Sequence, residues 1–164
     1  MLKDYLSEEK ILELKDSDNY IYKALELSLN LFENNTDKGG YPYIIHLMYV
    51  YKNVSSIDEK VVALLHDTME DKGIKEEELL SIGFTKKHVN DVKVLTRIKP
   101  MDYNTYIDNL IKNGSKEALN VKLADLKNNM DMTRIKNPTV KDYERVEKRY
   151  APAYEKILNK LKEM

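Results

Sequence analysis

Val61–Leu65 is an unbroken apolar run that leads directly into His66, Asp67, Glu70 and Asp71. A helix carrying such a run must bury it, so its charged end is drawn toward the interior as well. Residues four apart share a helix face, which stacks Glu70 over His66 and Asp71 over Asp67. Desolvating three carboxylates beside an imidazole is costly unless a proton or cation offsets them, and a metal ion is the simplest offset. The plain reading stands beside this one: HD and ED dipeptides are common at helix ends, and a histidine next to an apolar run is often a satisfied core residue.

The rest of the chain reads as helix. Gly totals 5 and Pro 4, and apolar residues recur at intervals of three and four with no strand-like alternation. A short helix over Leu6–Leu14 is followed by one from Asp18 or Asn19 with Tyr22, Leu25, Leu29 and Phe32 on its inner stripe. The polar, glycine-rich stretch Asn34–Gly40 then forms a loop holding Lys38, either a cover for a ligand or a solvated turn. Pro42 suits the first turn of a third helix, with Tyr43, Leu47, Val50 and Tyr51 on one stripe and His46 off it. Ser56 and Glu59 form a capping box for the helix that ends in His66–Asp71, and Gly73 closes it.

Ile74–Phe84 is expected to be a short surface helix with a solvated Glu76–Glu78 face. The next helix, capped by Thr85, turns Val89, Val92 and Leu95 inward, leaves His88 in solvent and ends at Thr96 and Arg97. Asp102–Asn113 is amphipathic, Ser115 caps the following helix with Asp125 and Asn129 on one face, and Asn137–Pro138 separates it from a last helix that Pro152 should kink. No repeat or linker interrupts the 164 residues, so one domain spans 1–164 with its core over about 18–162.

Composition removes several classes of function. There is no cysteine, so any metal must be held by nitrogen and oxygen. Lys and Arg total 27 against 28 Asp and Glu, which leaves no basic field for a nucleic acid polymer but permits a local cluster for a small anion. The N-terminus lacks the apolar stretch of a secretory signal, and no segment approaches the about 20 apolar residues of a membrane span. The expected compartment is the cytoplasm, with no membrane partner.

Three separate helices offer ligand-type groups: His46, the pair His66 and Asp67, and Asp125. Two imidazoles and two carboxylates suit manganese, iron or zinc better than magnesium, which prefers oxygen alone.

In order along the chain these residues match the H…HD…D pattern of the HD superfamily of metal-dependent phosphohydrolases. The segments PYIIH (42–46), ALLHDTMED (63–71) and VKLADLKNNM (121–130) resemble the PYI.H, ALLHD..ED and KLADRLHNM stretches of the hydrolase domain of RelA/SpoT proteins and their small stand-alone relatives. RYAPAYEKI (149–157) resembles a YAPLA segment of the same proteins, and the likeness runs from about Tyr20 to Tyr150. The resemblance implies an all-α, single HD-domain helical bundle. It implies that His46, His66, Asp67 and Asp125 bind one divalent ion, manganese first and iron or zinc as alternatives. Glu70 and Asp71 match the catalytic ED pair, Asn129 an asparagine near the nucleotide, and Thr96 a VTK-like segment.

The implied reaction is removal of the 3′-pyrophosphate from guanosine tetraphosphate or pentaphosphate, a small nucleotide substrate, with no synthetase activity. Lys38, Arg97 and Lys122 are the cations expected to meet its phosphates, although each is also an ordinary surface residue in form. The chain departs from the pattern on the base side. An arginine that precedes PYI.H and packs on guanine is absent from NNTDKGGY, where Lys38 is the lone cation and cannot stack a planar guanidinium. Asp131 and Met132 stand where Arg and Thr follow HNM. These departures keep open another nucleoside phosphate as substrate, or a nucleotide sensor without turnover.

Overall fold

The computed structural model describes residues 1–164. The chain is all helix: α1 (Glu8–Asp16), α2 (Tyr20–Phe32), α3 (Ile44–Lys52), α4 (Ile57–Leu65), α5 (Thr68–Lys72), α6 (Glu76–Ile82), α7 (Lys86–Val94), α8 (Tyr103–Asn113), α9 (Lys116–Asn129), α10 (Val140–Arg145) and α11 (Ala151–Glu163). Two helices sit at the centre. α4 packs against α2, α3, α7 and α9, while α9 packs against α3, α4, α7 and α11. The apolar run explains the first, since every residue from Val61 to Leu65 is buried. The second buries several sides at once, with Ala118, Leu119, Val121, Ala124, Asp125, Leu126 and Asn128 all inside.

Caps fall where short polar side chains precede apolar periodicity. Ser56, Thr85, Asp102 and Ser115 each accept from the third backbone N–H beyond. Glu59 does more than complete a capping box. Its Oε1 accepts from the backbone N–H of Ser55 and Ser56 at 3.2 and 2.8 Å, and its Oε2 accepts from Asn120 Nδ2 at 2.6 Å, fastening the start of α4 to α9.

The inner stripe of α2 is rotated from the expected one. Ala24, Leu27, Leu31 and Phe32 are buried, while Leu29 is exposed. This rotation brings two polar side chains inside, each with a carbonyl to satisfy. Ser28 Oγ donates to Leu64 O at 2.6 Å, and Lys23 Nζ donates to Ile82 O at 2.8 Å at the end of α6. A helix C-terminus favours a cation. Gly83 leaves room for it: its φ is +112°, and a Cβ there would stand 2.4 Å from Lys23 Nζ.

Other expectations are corrected as well. His88 is buried, not in solvent: its Nε2 lies 2.7 Å from Asp58 Oδ1, joining α7 to α4. Within the supposed solvated Glu76–Glu78 face, Glu78 accepts from the backbone N–H of Leu2 and Lys75, both at 2.9 Å. Pro42 precedes α3 instead of opening it and pairs with Thr36 across the loop. Val140–Glu163 runs as α10, a π turn over Val146–Tyr150 and α11. Pro152 falls in the first turn of α11, and the adjustment lies just before it, where Ala151 N–H reaches back to Val146 O.

Burial alone would raise the Glu59 carboxyl, but the hydrogen bonds from Ser56, Asn120 and Ser55 outweigh it and hold its pKa below the usual value. A depressed carboxyl contributes stability above its unfolded pKa and loses it as pH falls through the folded value. Glu59→Ala should therefore cost about 2–3 kcal/mol in denaturant unfolding at pH 7, and Glu59→Gln should flatten the acid side of the stability profile. Wild-type stability in Glu59→Ala would show the tether to be idle.

Candidate metal centre

The run toward Asp71 is not one helix. α4 ends at Leu65, His66 and Asp67 form a turn, and α5 restarts at Thr68. Each carbonyl freed by the break meets a side chain: His66 Nδ1 lies 2.6 Å from Ala63 O, Ser28 donates to Leu64 O at 2.6 Å, and Thr68 Oγ1 donates to Leu65 O at 2.7 Å. The stacking of Glu70 over His66 is therefore replaced by a different placement. Glu70 Oε1 accepts from Arg97 N–H at 2.7 Å.

The turn aims His66 at two other helices. Its Nε2 stands 3.1 Å from Asp67 Oδ2 and 3.4 Å from Asp125 Oδ1 of α9. His46 of α3 brings its Nε2 to 2.9 Å from the same Asp125 oxygen. His46, His66 and Asp125 place one ligand-type atom each within 4.8 Å of one another, and all three residues are buried.

The proton positions decide what this cluster can accept. His66 Nδ1 faces a carbonyl oxygen, so it must be the N–H. His46 Nδ1 lies 2.7 Å from Asn128 Oδ1, assigned as the amide oxygen, and donates in the same way. In a neutral ring each Nε2 is then a bare lone pair pointed at carboxylate oxygens, and His66 Nε2 is buried with no hydrogen-bond partner. The arrangement requires a positive charge.

A proton supplies it in part. Burial opposes charge on His66, but Asp67 and Asp125 outweigh it and raise its pKa well above the ordinary value. Protonating both rings, whose centroids are 5.6 Å apart, would set two like charges side by side. A single divalent cation would answer both nitrogens and Asp125, which lie within mutual reach, with Asp67 beside His66 as a further donor, and mixed imidazole and carboxylate donors fit manganese, iron or zinc.

The outer contacts hold the donors in place. Tyr43 donates its hydroxyl to Asp67 Oδ2. Asn129 Nδ2 and Lys122 Nζ donate to Asp125 Oδ1 and Oδ2 at 3.1 and 2.9 Å. Burial would raise the Asp125 carboxyl, yet the charge of Lys122 and the bonds from both histidines hold it well below the usual range.

A cavity of about 410 Å³ opens over the cluster. Lys38, Arg97, Lys122, Asn129, Glu70 and Asp71 line it, together with His46, His66, Asp67 and Asp125. Thr96 stands outside the wall, its hydroxyl turned back to Val92 O at 2.8 Å. Partial desolvation and the charges of Asp67 and Glu70 push Asp71 up to about 6. Sequence reasoning gave Tyr43 and Tyr103 only a packing role on their helices and passed over Asn128, Arg134, Arg145 and Arg149. The π turn brings Arg149 and Tyr150 to the wall together, a placement that regular helical spacing gives no hint of.

The cations of this wall differ in freedom. Arg134 pairs with Asp37 at 3.3 Å, and both Lys38 and Arg145 approach Asp142 at 3.6 Å. Arg97 and Arg149 make no ion pair, and each guanidinium lies 5.8 Å from the centre of the Tyr103 ring.

No protein-family model matches this sequence, and no curated protein matches it significantly. Among solved structures, the chain is similar to a metazoan ortholog of SpoT described as hydrolysing ppGpp and acting in starvation responses. The TM-score is 0.70 at 22% identity, over 88% of this chain and 86% of that one. The chain therefore has that protein's fold, here an all-α bundle. No helix is long and apolar enough to cross a membrane.

Adding manganese, iron or zinc to metal-stripped protein should raise its melting temperature, by about 2.7 kcal/mol of stability at a hundredfold excess over Kd. Protons and cation compete for the same nitrogens and carboxylates, so the gain should be larger at pH 7 than at pH 5 and absent in His66→Ala. A melting curve that ignores all three metals would exclude the centre.

Proposed function

We propose that the chain is a metal-dependent phosphohydrolase that removes the 3′-pyrophosphate from guanosine tetraphosphate or pentaphosphate. One observation carries the reading: His46, His66 and Asp125, from α3, the α4–α5 turn and α9, bring one ligand-type atom each within 4.8 Å of one another, with Asp67 Oδ2 3.1 Å from His66 Nε2, at the floor of a cavity large enough for a nucleotide. The shared fold with a protein described as hydrolysing ppGpp supports the substrate class.

His46, His66, Asp67 and Asp125 would hold the ion. Once bound, it supplies Lewis acidity toward a phosphoryl oxygen and makes water a stronger acid at neutral pH. Glu70 and Asp71 act on the protons. Arg97 N–H fixes one oxygen of Glu70 and leaves the other able to orient water and take its proton. Asp71, with its carboxyl near 6, holds a proton more readily than an ordinary aspartate and can hand it to the leaving phosphate. Two neighbouring carboxylates divide base and acid in this way.

Arg97 and Arg149 receive the phosphates, because neither charge is spent on an acidic partner and the Tyr103 ring holds both in reach of the cavity. Lys38 on the loop and Asn129 beside Asp125 border the remainder of the substrate. The loop wall supports a second reading, another nucleoside phosphate as substrate, because its guanidinium, Arg134, is already engaged by Asp37 and by the Asn128 carbonyl.

Pyrophosphate release from guanosine tetraphosphate with manganese present is the expected result. Orthophosphate from ordinary nucleotides would favour the second reading, and tight nucleotide binding without product would leave a sensor. Asp67→Ala should lose both metal and turnover. Glu70→Gln should keep the metal and lose about 100-fold or more in kcat; full turnover would take Glu70 out of the mechanism.

A further inference from the structure

The two oxygens of Asp125 have different neighbours. Oδ1 faces both histidines and Asn129, whereas Oδ2 accepts from Lys122 Nζ at 2.9 Å. Lys122 is three residues back on α9, and its side chain is only 12% exposed. The ammonium has a built seat. It lies 5.3 Å from the centre of the Tyr106 ring, and that ring is itself fixed, buried and donating its hydroxyl to Leu95 O at 2.6 Å.

The surroundings make this position consequential. Asp67, Glu70, Asp71 and Asp125 all border one cavity. Four carboxylates beside two imidazoles are donors enough for a pair of divalent ions, the usual arrangement being one carboxylate that bridges both. Of these, Asp125 offers one oxygen to both imidazoles and keeps the other apart from them, as a bridging carboxylate would. A second ion on its outer oxygen would have to share that oxygen with an ammonium, and like charges at such separation repel strongly where water is excluded.

We propose that Lys122 is the internal counter-ion that keeps the centre mononuclear: its ammonium holds the oxygen of Asp125 through which a second divalent ion would bridge. This inference rests on the metal-centre reading above. It also gives Lys122 a duty other than phosphate binding, since its charge is already met by Asp125.

Metal content separates the possibilities. Metal-stripped wild-type protein, equilibrated with excess manganese and assayed for bound metal, should saturate at one ion per chain and give the electron paramagnetic resonance signal of isolated ions. Lys122→Met keeps the stem against Tyr106 and removes the charge; it should bind two ions per chain, with a spin-coupled signal. Lys122→Arg should stay at one. The triple variant Lys122→Met/Glu70→Gln/Asp71→Asn, lacking carboxylates for the second ion, should return to one.

A folded Lys122→Met that saturates at one ion, or binds none, would overturn the proposal and leave Lys122 as a support for Asp125. A coupled pair in wild-type protein would overturn it without recourse to any variant. Wild-type protein that binds no manganese, iron or zinc would instead remove the metal-centre reading itself, a distinct outcome.

Discussion

With each Nδ1 committed to an acceptor, the buried Nε2 atoms of His46 and His66 both face carboxylate oxygens, and in neutral rings their lone pairs would be repelled until a proton or a cation joined them. The surrounding fold is organised to hold those four groups together. α3, α4 and α9 meet pairwise along their lengths, so the apolar packing of the bundle supplies the force that keeps like-signed groups close. The same burial makes a cation in the cluster worth more than it would be in water.

The break between α4 and α5 is the means by which the chain turns two consecutive residues toward one point. Neighbours on a continuous helix point about a quarter-turn apart, whereas here Asp67 Oδ2 lies 3.1 Å from His66 Nε2, which itself lies 3.4 Å from Asp125 Oδ1. The break leaves carbonyls bare in the interior, which is costly. His66, Ser28 and Thr68 answer Ala63, Leu64 and Leu65 in turn. The polar stripe of α2 thus belongs to the site as much as to the core, because Ser28 stabilises the turn that positions His66.

Charge is sorted across the cavity by what each group is already bonded to. Acidic groups crowd the floor, Lys122 neutralises one of them, and the loop-side cations are held by Asp37 and Asp142. Only Arg97 and Arg149 keep their charge unspent. They come from the segment between α7 and α8 and from the π turn, stretches far apart in sequence that meet at the Tyr103 ring.

The sequence by itself determined the helices, their caps and the ligand-type residues, because periodicity, capping and side-chain chemistry are local properties carried by neighbouring residues. Ser56, Thr85 and Ser115 announced their helices, and His46, His66, Asp67 and Asp125 were legible as a nitrogen and oxygen donor set. What lay beyond reach was rotation, interruption and partnership. Leu29 and Leu27 are interchangeable by pattern, and only packing against α4 selected Leu27 for the core. Nothing near His88 foretold Asp58, thirty residues away. The helix break, the direction of each imidazole lone pair and the choice of Lys122 as partner to Asp125 were settled by tertiary structure alone, since each depends on a hydrogen bond or ion pair whose partner is supplied by the folding of the chain around it.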